Sequence, residues 1–466
     1  MVRAIEQVGR VVRRVTLGVR DDGLPPGPPL PSAAQLALWL FRPIPFLEEC
    51  RRRYGPTFSM DFPGQGPIVT TSEPELVREI FHASTETHHA GLANEPLRPV
   101  VGPASLLLLD REAHLRERRL LLPPFHGARM HEYGAVMRDI TAEELSRTPL
   151  DRPFAIHGPM QAITLEVILR TVFGATSGRE LDELRRAVVE LTTAFTPLAM
   201  VRAFQRDLGP RSPWGRFVTA RAEADARLYQ LISARRLAPS ESRVDILSLL
   251  LGARYEDGTA MSDRELRDEL VTLLVAGHET SATVLPWVFH FLTAHPDVQA
   301  KVHAELDRVV GDAPVDPEAS SGLVLLDAVI KETMRLRPVI AAVGRVLSTD
   351  ATLGGWRIPA GAMVAPSIYL THTNPEAWPR PYDFDPTRFV DQKASPNHYF
   401  PFGGGVRRCI GMAFALFEMR MILATTLSRH RATRLPGYVA RPERRNVTIA
   451  PSGGMPVVLS RRTPSP

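Results

Sequence analysis

The sequence has 466 residues, 44% apolar and 23% charged, with 42 prolines, a globular composition that excludes a disordered or collagen-like chain. Its two cysteines, Cys50 and Cys409, exclude a disulfide framework and suit a reducing cytoplasm. Fifty-six basic residues against 51 acidic ones leave +5, and the arginines alternate with acids, as at Glu117-Arg118-Arg119, so a solvated surface explains them better than a nucleic-acid partner does.

Residues 2–20 set Arg3, Arg10, Arg13, Arg14 and Arg20 among valines and isoleucines, without the continuous apolar core of a signal peptide. The stretch reads as a frayed leader, or as a basic amphipathic helix resting weakly on a membrane surface. Leu24-Pro25-Pro26-Gly27-Pro28-Pro29 then makes a stiff extended spacer. Residues 1–31 are therefore expected to be a basic segment and spacer, with one folded domain over 32–466. The stretch 36–47 is broken by Arg42, Pro43 and Pro45, and no run reaches the roughly 18 apolar residues of a transmembrane segment.

Within the domain, alternation over Thr57–Phe62 and Ile68–Thr71 around Pro63-Gly64-Gln65-Gly66 predicts a hairpin. Helical periodicity then dominates to about residue 337. Strand and turn character returns over 343–369, with Gly354-Gly355 and Pro359-Ala360-Gly361 as punctuation. The fold class is mainly α: a large helical body with a small β-rich region. One helix stands out. Ser262 and Glu265 form a capping box, and the pattern runs to about Ala294, where His295-Pro296 stops it. At 1.5 Å per residue it spans roughly 48 Å. Pro296 opens a further helix ending near Gly311.

Two apparent motifs fail. His278-Glu279 resembles the start of a zinc-protease helix, but Ala282 stands where the second histidine is needed. No G-x-G-x-x-G fingerprint or phosphate loop occurs. Cys409 is different. It lies in Phe402-Gly403-Gly404-Gly405-Val406-Arg407-Arg408-Cys409-Ile410-Gly411, followed by a helical pattern through Ala424. Three glycines allow a close approach to something flat. A helix N-terminus beside two arginines favours a thiolate. The residues alone describe a buried thiolate facing a planar ligand or a metal.

This loop resembles the haem-binding segment of cytochrome P450, F-x-x-G-x-R-x-C-x-G, with Phe402, Gly405, Arg407, Cys409 and Gly411 at every specified position. Three further signatures follow the family's order. Glu332-Thr333-Met334-Arg335 resembles its helical Glu/Arg pair, and Asp385-Pro386-Thr387-Arg388-Phe389 its proline-rich meander, which implies a structural triad of Glu332, Arg335 and Arg388. Ala276-Gly277-His278-Glu279-Thr280 resembles the oxygen-binding groove in the long helix. His114-Leu115-Arg116-Glu117-Arg118 resembles the propionate-binding helix, with His114 where Trp is frequent.

The resemblance implies haem b on a Cys409 thiolate, with propionates held by His114, Arg118, Arg345 and Arg407. Ala276 and Gly277 leave room over the haem, and Thr280 and Glu279 deliver protons. The implied reaction is insertion of one oxygen atom from O2 into an apolar molecule: a fatty acid, terpenoid, steroid or polyketide. Leu97, Val100, Leu273, Ala276, Ile340, Ala341 and Val343 are the implied lining. The electron donor is a separate ferredoxin or flavodoxin with its reductase, docked on Arg116, Arg119, Arg407, Arg408 and Arg420. The implied location is cytoplasmic. A peroxide-using or hydroperoxide-rearranging relative is the first rival, disfavoured by Glu279-Thr280. A haem-based sensor or binding protein is the second.

Overall fold

The computed structural model describes residues 18–125, 129–174, 178–238, 245–391 and 393–462. Helices dominate: α1 (Ser32–Phe41), α2 (Pro43–Tyr54), α3 (Pro74–His82), α4 (Arg98–Val101), α5 (Arg111–Leu121), α6 (Arg129–Arg147), α7 (His157–Phe173), α8 (Arg179–Ala194), α9 (Pro213–Leu237), α10 (Asp263–Ala294), α11 (Pro296–Val309), α12 (Val324–Leu336) and α13 (Met412–Arg429). The hairpin forms as expected, β1 (Thr57–Met60) against β2 (Ile68–Thr71), in antiparallel register from Thr57↔Thr71 to Met60↔Ile68. With β3 (His88–His89), β5 (Arg345–Leu347) and β6 (Met363–Pro366) it builds a five-stranded sheet ordered β1-β2-β6-β5-β3. A second sheet joins β4 (Pro153–Ala155), β8 (Pro456–Arg461) and β7 (His430–Arg434). The predicted strand stretch ends at Pro366, and a short helix, Ile368–His372, takes over.

Helix α10 is the axle. Glu265 N donates to Ser262 Oγ at 3.3 Å while Glu265 Oε2 accepts from Ser262 N at 2.7 Å, so both halves of the capping box are present. Pro286 lies inside the helix. Its two flanks are buried in one continuous core with α7, α9, α12 and α13, in which Leu270, Leu274, Leu285 and Val288 are inaccessible. A second core sits under the sheet, from Leu47 and Phe58 to Tyr369 and Leu370. Among the described residues no helix is long and apolar enough to cross a membrane.

Packing begins before residue 32. Ser59 N donates to Pro26 O at 2.9 Å, Gln35 Nε2 to Leu30 O at 2.9 Å, and Arg20 pairs with Asp61 at 2.5 Å, while Leu24 is buried. The proline segment is thus an edge of the fold rather than a detached spacer. Its extended backbone offers carbonyls that the hairpin and α1 use. Residues 1–17, which hold most of the N-terminal arginines, lie outside the described residues.

Candidate active site

Cys409 lies in the loop ahead of α13, three residues before the helix begins at Met412, with Gly411 as N-cap. Its own amide donates to Phe402 O at 2.9 Å, closing the loop on itself. Two of the three glycines answer to the protein rather than to a ligand: a Cβ on Gly404 would strike the Phe81 ring, and one on Gly405 the Phe81 carbonyl. Gly403 and Gly405 also take φ of +70° and +64°, which glycine adopts freely. The Cys409 side chain is surface-accessible, yet surrounding protein is dense enough that burial pushes its thiol up, against the Gly411 amide and the charges of Arg118 and Arg408. It therefore lines an inner cleft. The helix-terminus effect expected from sequence is real but smaller than desolvation. Cys50, by contrast, is buried with its thiol pushed up to about 12.

Halfway along α10, between buried flanks, Ala276 is exposed and Gly277 and Thr280 are half-buried. Thr280 Oγ1 donates to Ala276 O at 2.6 Å, the back-bond expected of a mid-helix threonine. Glu279 turns elsewhere. It is buried 3.8 Å from His278 Nε2, and burial raises its carboxyl against the opposing effects of Arg445 and Gln161. The structure does not bring its carboxylate to the Thr280 face.

His114 and Arg118 of α5, Arg345 of β5 and Arg407 of the cysteine loop converge. Burial, then the charges of Arg407, Arg118 and Arg345, drive the His114 imidazole down to about 3. His114 is thus neutral at pH 7, and its buried Nδ1 has no hydrogen-bond partner. Burial also lowers Arg345 and Arg407 to about 10 each, and Arg118 is depressed as well. Asp110, which the sequence did not single out, pairs with Arg407 at 2.5 Å and accepts from Gly91 N at 2.8 Å. Arg407 also donates to the carbonyls of Leu106 and Leu109. Arg407 and Arg345 share the single carboxylate of Asp110, and with Arg118 and the orphaned imidazole nitrogen they form a cradle for a ligand bearing acidic groups.

Behind the loop, Glu332 and Arg335 are fully buried and joined at 2.7 and 2.8 Å, with Arg388 Nε 3.5 Å from Glu332. The three residues named from sequence meet. Of the implied lining, Val100 and Leu273 are buried in the main core with Leu97 packed on it, and Ala341 is buried in the second core. Val343 packs beside Phe81 and Phe400, and Ile340 is exposed. Arg98 makes an exposed 2.5 Å pair with Glu95.

The profile of the cytochrome P450 family matches residues 25–455. The chain belongs to the cytochrome P450 family. A Mycobacterium tuberculosis protein recorded as "Putative cytochrome P450 135B1" is 40% identical over 438 residues, covering 94% of this chain and 91% of its own. "Putative cytochrome P450 138" of Mycobacterium bovis is 39% identical over 413 residues, covering 88% and 90%. Among solved structures, retinoic acid-bound cyanobacterial CYP120A1 superposes with a TM-score of 0.83 at 26% identity, covering 94% of this chain and 99% of that one. The haem domain of cytochrome P450DA gives 0.80 at 24%, covering 93% and 94%. With its family the protein is a haem-dependent monooxygenase, an oxidoreductase that binds haem through a cysteine thiolate.

The basic docking face expected on this P450 does not survive as free charge. Arg116 pairs with Asp257 at 3.0 Å, Arg119 with Glu256 at 2.5 Å, Arg407 with Asp110 and Arg420 with Asp327 at 3.0 Å. Among the described residues only Arg408 of the five has no carboxylate partner; its Nη2 contacts Met412 Sδ at 3.0 Å. Partners more than 90 residues away pair with the rest, Arg119 meeting its neighbour Glu112 at 3.4 Å as well, and a local charge pattern does not reveal the distant ones.

Proposed function

We propose that Cys409 is the axial ligand of haem b, that His114, Arg118, Arg345 and Arg407 hold its propionates, and that the protein hydroxylates an apolar substrate in the cytoplasm. The reading rests above all on the convergence of four basic side chains around an orphaned, buried His114 Nδ1, close enough to Cys409 for Arg118 to feel its charge. A propionate supplies the missing partner for that nitrogen and the missing negative charge for the guanidiniums. Bound through a thiolate, haem iron supplies oxygen activation and transfer of one oxygen atom. At Cys409 a bound metal ion would stand in the thiol proton's place and offset the burial that otherwise favours the protonated thiol.

The chain's own part is positional. Ala276 and Gly277 keep the middle of α10 narrow. Thr280 Oγ1, its proton directed at Ala276 O, presents lone pairs to the cleft and can receive and pass on a proton there. The raised Glu279 carboxyl stores a proton behind the helix. The lining from Leu97 to Val343 is uncharged, and burial of apolar surface at roughly 25 cal/mol per Å² supplies affinity. Fatty acids, terpenoids, steroids and polyketides fit that chemistry. Retinoic acid, bound in one solved relative, is a largely apolar molecule of this kind. Electrons come from a ferredoxin or flavodoxin with its reductase. Thr280, back-bonded to Ala276 O in the α10 groove, favours O2 over peroxide as the oxygen source.

The ferrous carbon monoxide complex tests the ligand. Wild type and Cys50→Ser are expected to give the red-shifted thiolate band, and Cys409→Ser to lose it. An imidazole-type band in active wild-type protein refutes the assignment. Thr280→Ala tests the groove: haem and substrate binding stay within about two-fold, while hydrogen peroxide release per electron consumed rises on the order of ten-fold, below the roughly 10²–10⁴ of a full general acid or base because water can take over part of the proton path. Coupling unchanged from wild type removes Thr280 from the proton path.

A further inference from the structure

Among the described residues, burial lowers the basicity of Arg118, Arg337, Arg345, Arg407 and Arg444. Four of them have an offsetting group: Cys409 for Arg118, Tyr369 and Glu48 for Arg337, and Asp110 for both Arg345 and Arg407. Arg444 has none. Burial takes it to about 10, and no charged neighbour acts on it. Its buried Nε has no hydrogen-bond partner, and its Nη2 donates only to Trp39 O, at 3.2 Å.

The fold carries this cation into an apolar setting. Arg444 lies in a hairpin of Pro442–Arg445 and Thr448–Pro451, directly opposite Ile449. Opposed residues of an antiparallel pair share a face. Ile449 belongs to the second core together with Ala341 of the implied lining, and its amide donates to Val339 O at 3.0 Å. The Arg444 guanidinium lies 5.0 Å from the centre of the Trp39 ring of α1, which packs in turn on Phe62 at 6.1 Å. Thr448, one strand step from Ile449, receives a 3.2 Å bond from Thr283 Oγ1, one helical turn along α10 from Thr280. An arginine that only covered Trp39 with its stem would keep its head in water; here Nε is buried.

We infer that Arg444 receives the carboxylate of an amphiphilic acid, with the head group between α1 and the hairpin and the chain toward Ala341, which narrows the substrates of this P450 to long-chain acids. The anion site stands on the contacts of Arg444; that its ligand is oxidised rests on the proposed haem site. A guanidinium with an orphaned Nε offers a carboxylate its flat fork. Trp39 and the second core accept hydrocarbon without desolvating further polar groups. A half-buried cation with no anion weakens the ligand-free fold, a burden that binding sites carry and structural positions shed.

The test uses the haem-loaded full chain as wild type, Arg444→Gln, Arg444→Lys and Arg441→Gln, the last an exposed control just before the hairpin. Calorimetric titration with dodecanoic acid and with its methyl ester reads the anion site without reference to haem. Losing a charge-assisted bond raises the dissociation constant of the acid about 10- to 100-fold in Arg444→Gln. The rise is smaller in Arg444→Lys, which keeps the charge without the fork. The ester binds all four proteins alike, and Arg441→Gln binds the acid as wild type does. Because Arg444 neutralises no group of the protein, ligand-free Arg444→Gln melts no lower than wild type. Equal acid affinity in wild type and Arg444→Gln overturns the site. So does an equal loss for acid and ester with a lowered melting temperature, which marks a structural role. Haem spin-state absorption is read in the same titrations. If Arg444 governs acid affinity while the spectrum of a thiolate-ligated protein does not move, the substrate assignment is overturned. Arg444-dependent affinity in a protein that never forms the thiolate spectrum upholds the anion site and refutes the haem reading instead.

Discussion

Arg335→Ala is expected to lower the unfolding free energy by about 3–5 kcal/mol, a large share of the roughly 5–15 kcal/mol that holds an ordinary domain folded. Arg335 is fully buried and all its bonds converge. Two go to Glu332, and others go to the carbonyls of His372 at 2.8 Å, Pro381 at 2.7 Å and Asp383 at 3.1 Å. Its guanidinium also lies 5.1 Å from the Trp378 ring centre. Glu332 in turn accepts from Asp385 N at 2.9 Å. Burial already raises the Glu332 carboxyl, opposed chiefly by Arg335. Alanine leaves that carboxylate with Arg388 at 3.5 Å and one amide, and the carbonyls of His372, Pro381 and Asp383 lose their donor. The double variant Glu332→Gln/Arg335→Met removes the stranded charge too, so it should be less destabilised than Arg335→Ala alone. Urea unfolding of the three proteins, with haem content after purification, gives the answer. A loss below about 1 kcal/mol in Arg335→Ala means the pair is a surface-grade interaction despite its burial.

The triad also shows what a sequence discloses. Glu332 and Arg335 lie one helical turn apart, so their pairing is a local consequence of helix geometry. The capping box at Ser262 and the 57–71 hairpin are local in the same sense, and each forms as read. Arg388 lies more than 50 residues away, and only likeness to a family pointed to it. The unread features share one cause: their partners are distant. Asp110 precedes a helix and carries the signature of an N-cap, but its carboxylate makes no cap bond and serves Arg407 instead. Phe81 occupies the space that Gly404 and Gly405 leave, although those glycines suggested a ligand. Arg116 and Arg119 look like free basic surface until the loop with Glu256 and Asp257 folds across them. Proline spacing at 24–29 predicted an extended spacer and gave no sign that the hairpin would bond to it.

Glu418 was equally hidden, and its protonation should govern how stability depends on pH. It lies on α13, two helical turns beyond Gly411, fully buried, with neither carboxylate oxygen hydrogen-bonded. Its neighbour across the helix packing is Ser281 of α10, whose hydroxyl is also unsatisfied. Burial, opposed only by Ser281, pushes the carboxyl up to about 8 from an ordinary 4.5. In the folded protein Glu418 therefore stays protonated at neutral pH, whereas in the unfolded chain it ionises above about 4.5. Between those values the folded state binds more protons, so stability falls as pH rises, by about 1.4 kcal/mol per unit from this group alone, and levels off above the folded value. Glu418→Gln keeps the shape and removes the titration. The variant should match wild type near pH 4.5 and become the more stable of the two by on the order of 4 kcal/mol at pH 8. Other carboxyls raised by burial, such as Glu269 and Glu279, titrate in both proteins and cancel in the difference. Denaturant unfolding of both at pH 5, 6, 7 and 8 reads that difference directly. Parallel stability profiles would show that Glu418 is ionised in the fold, and a cation or ordered water would then have to be found beside it.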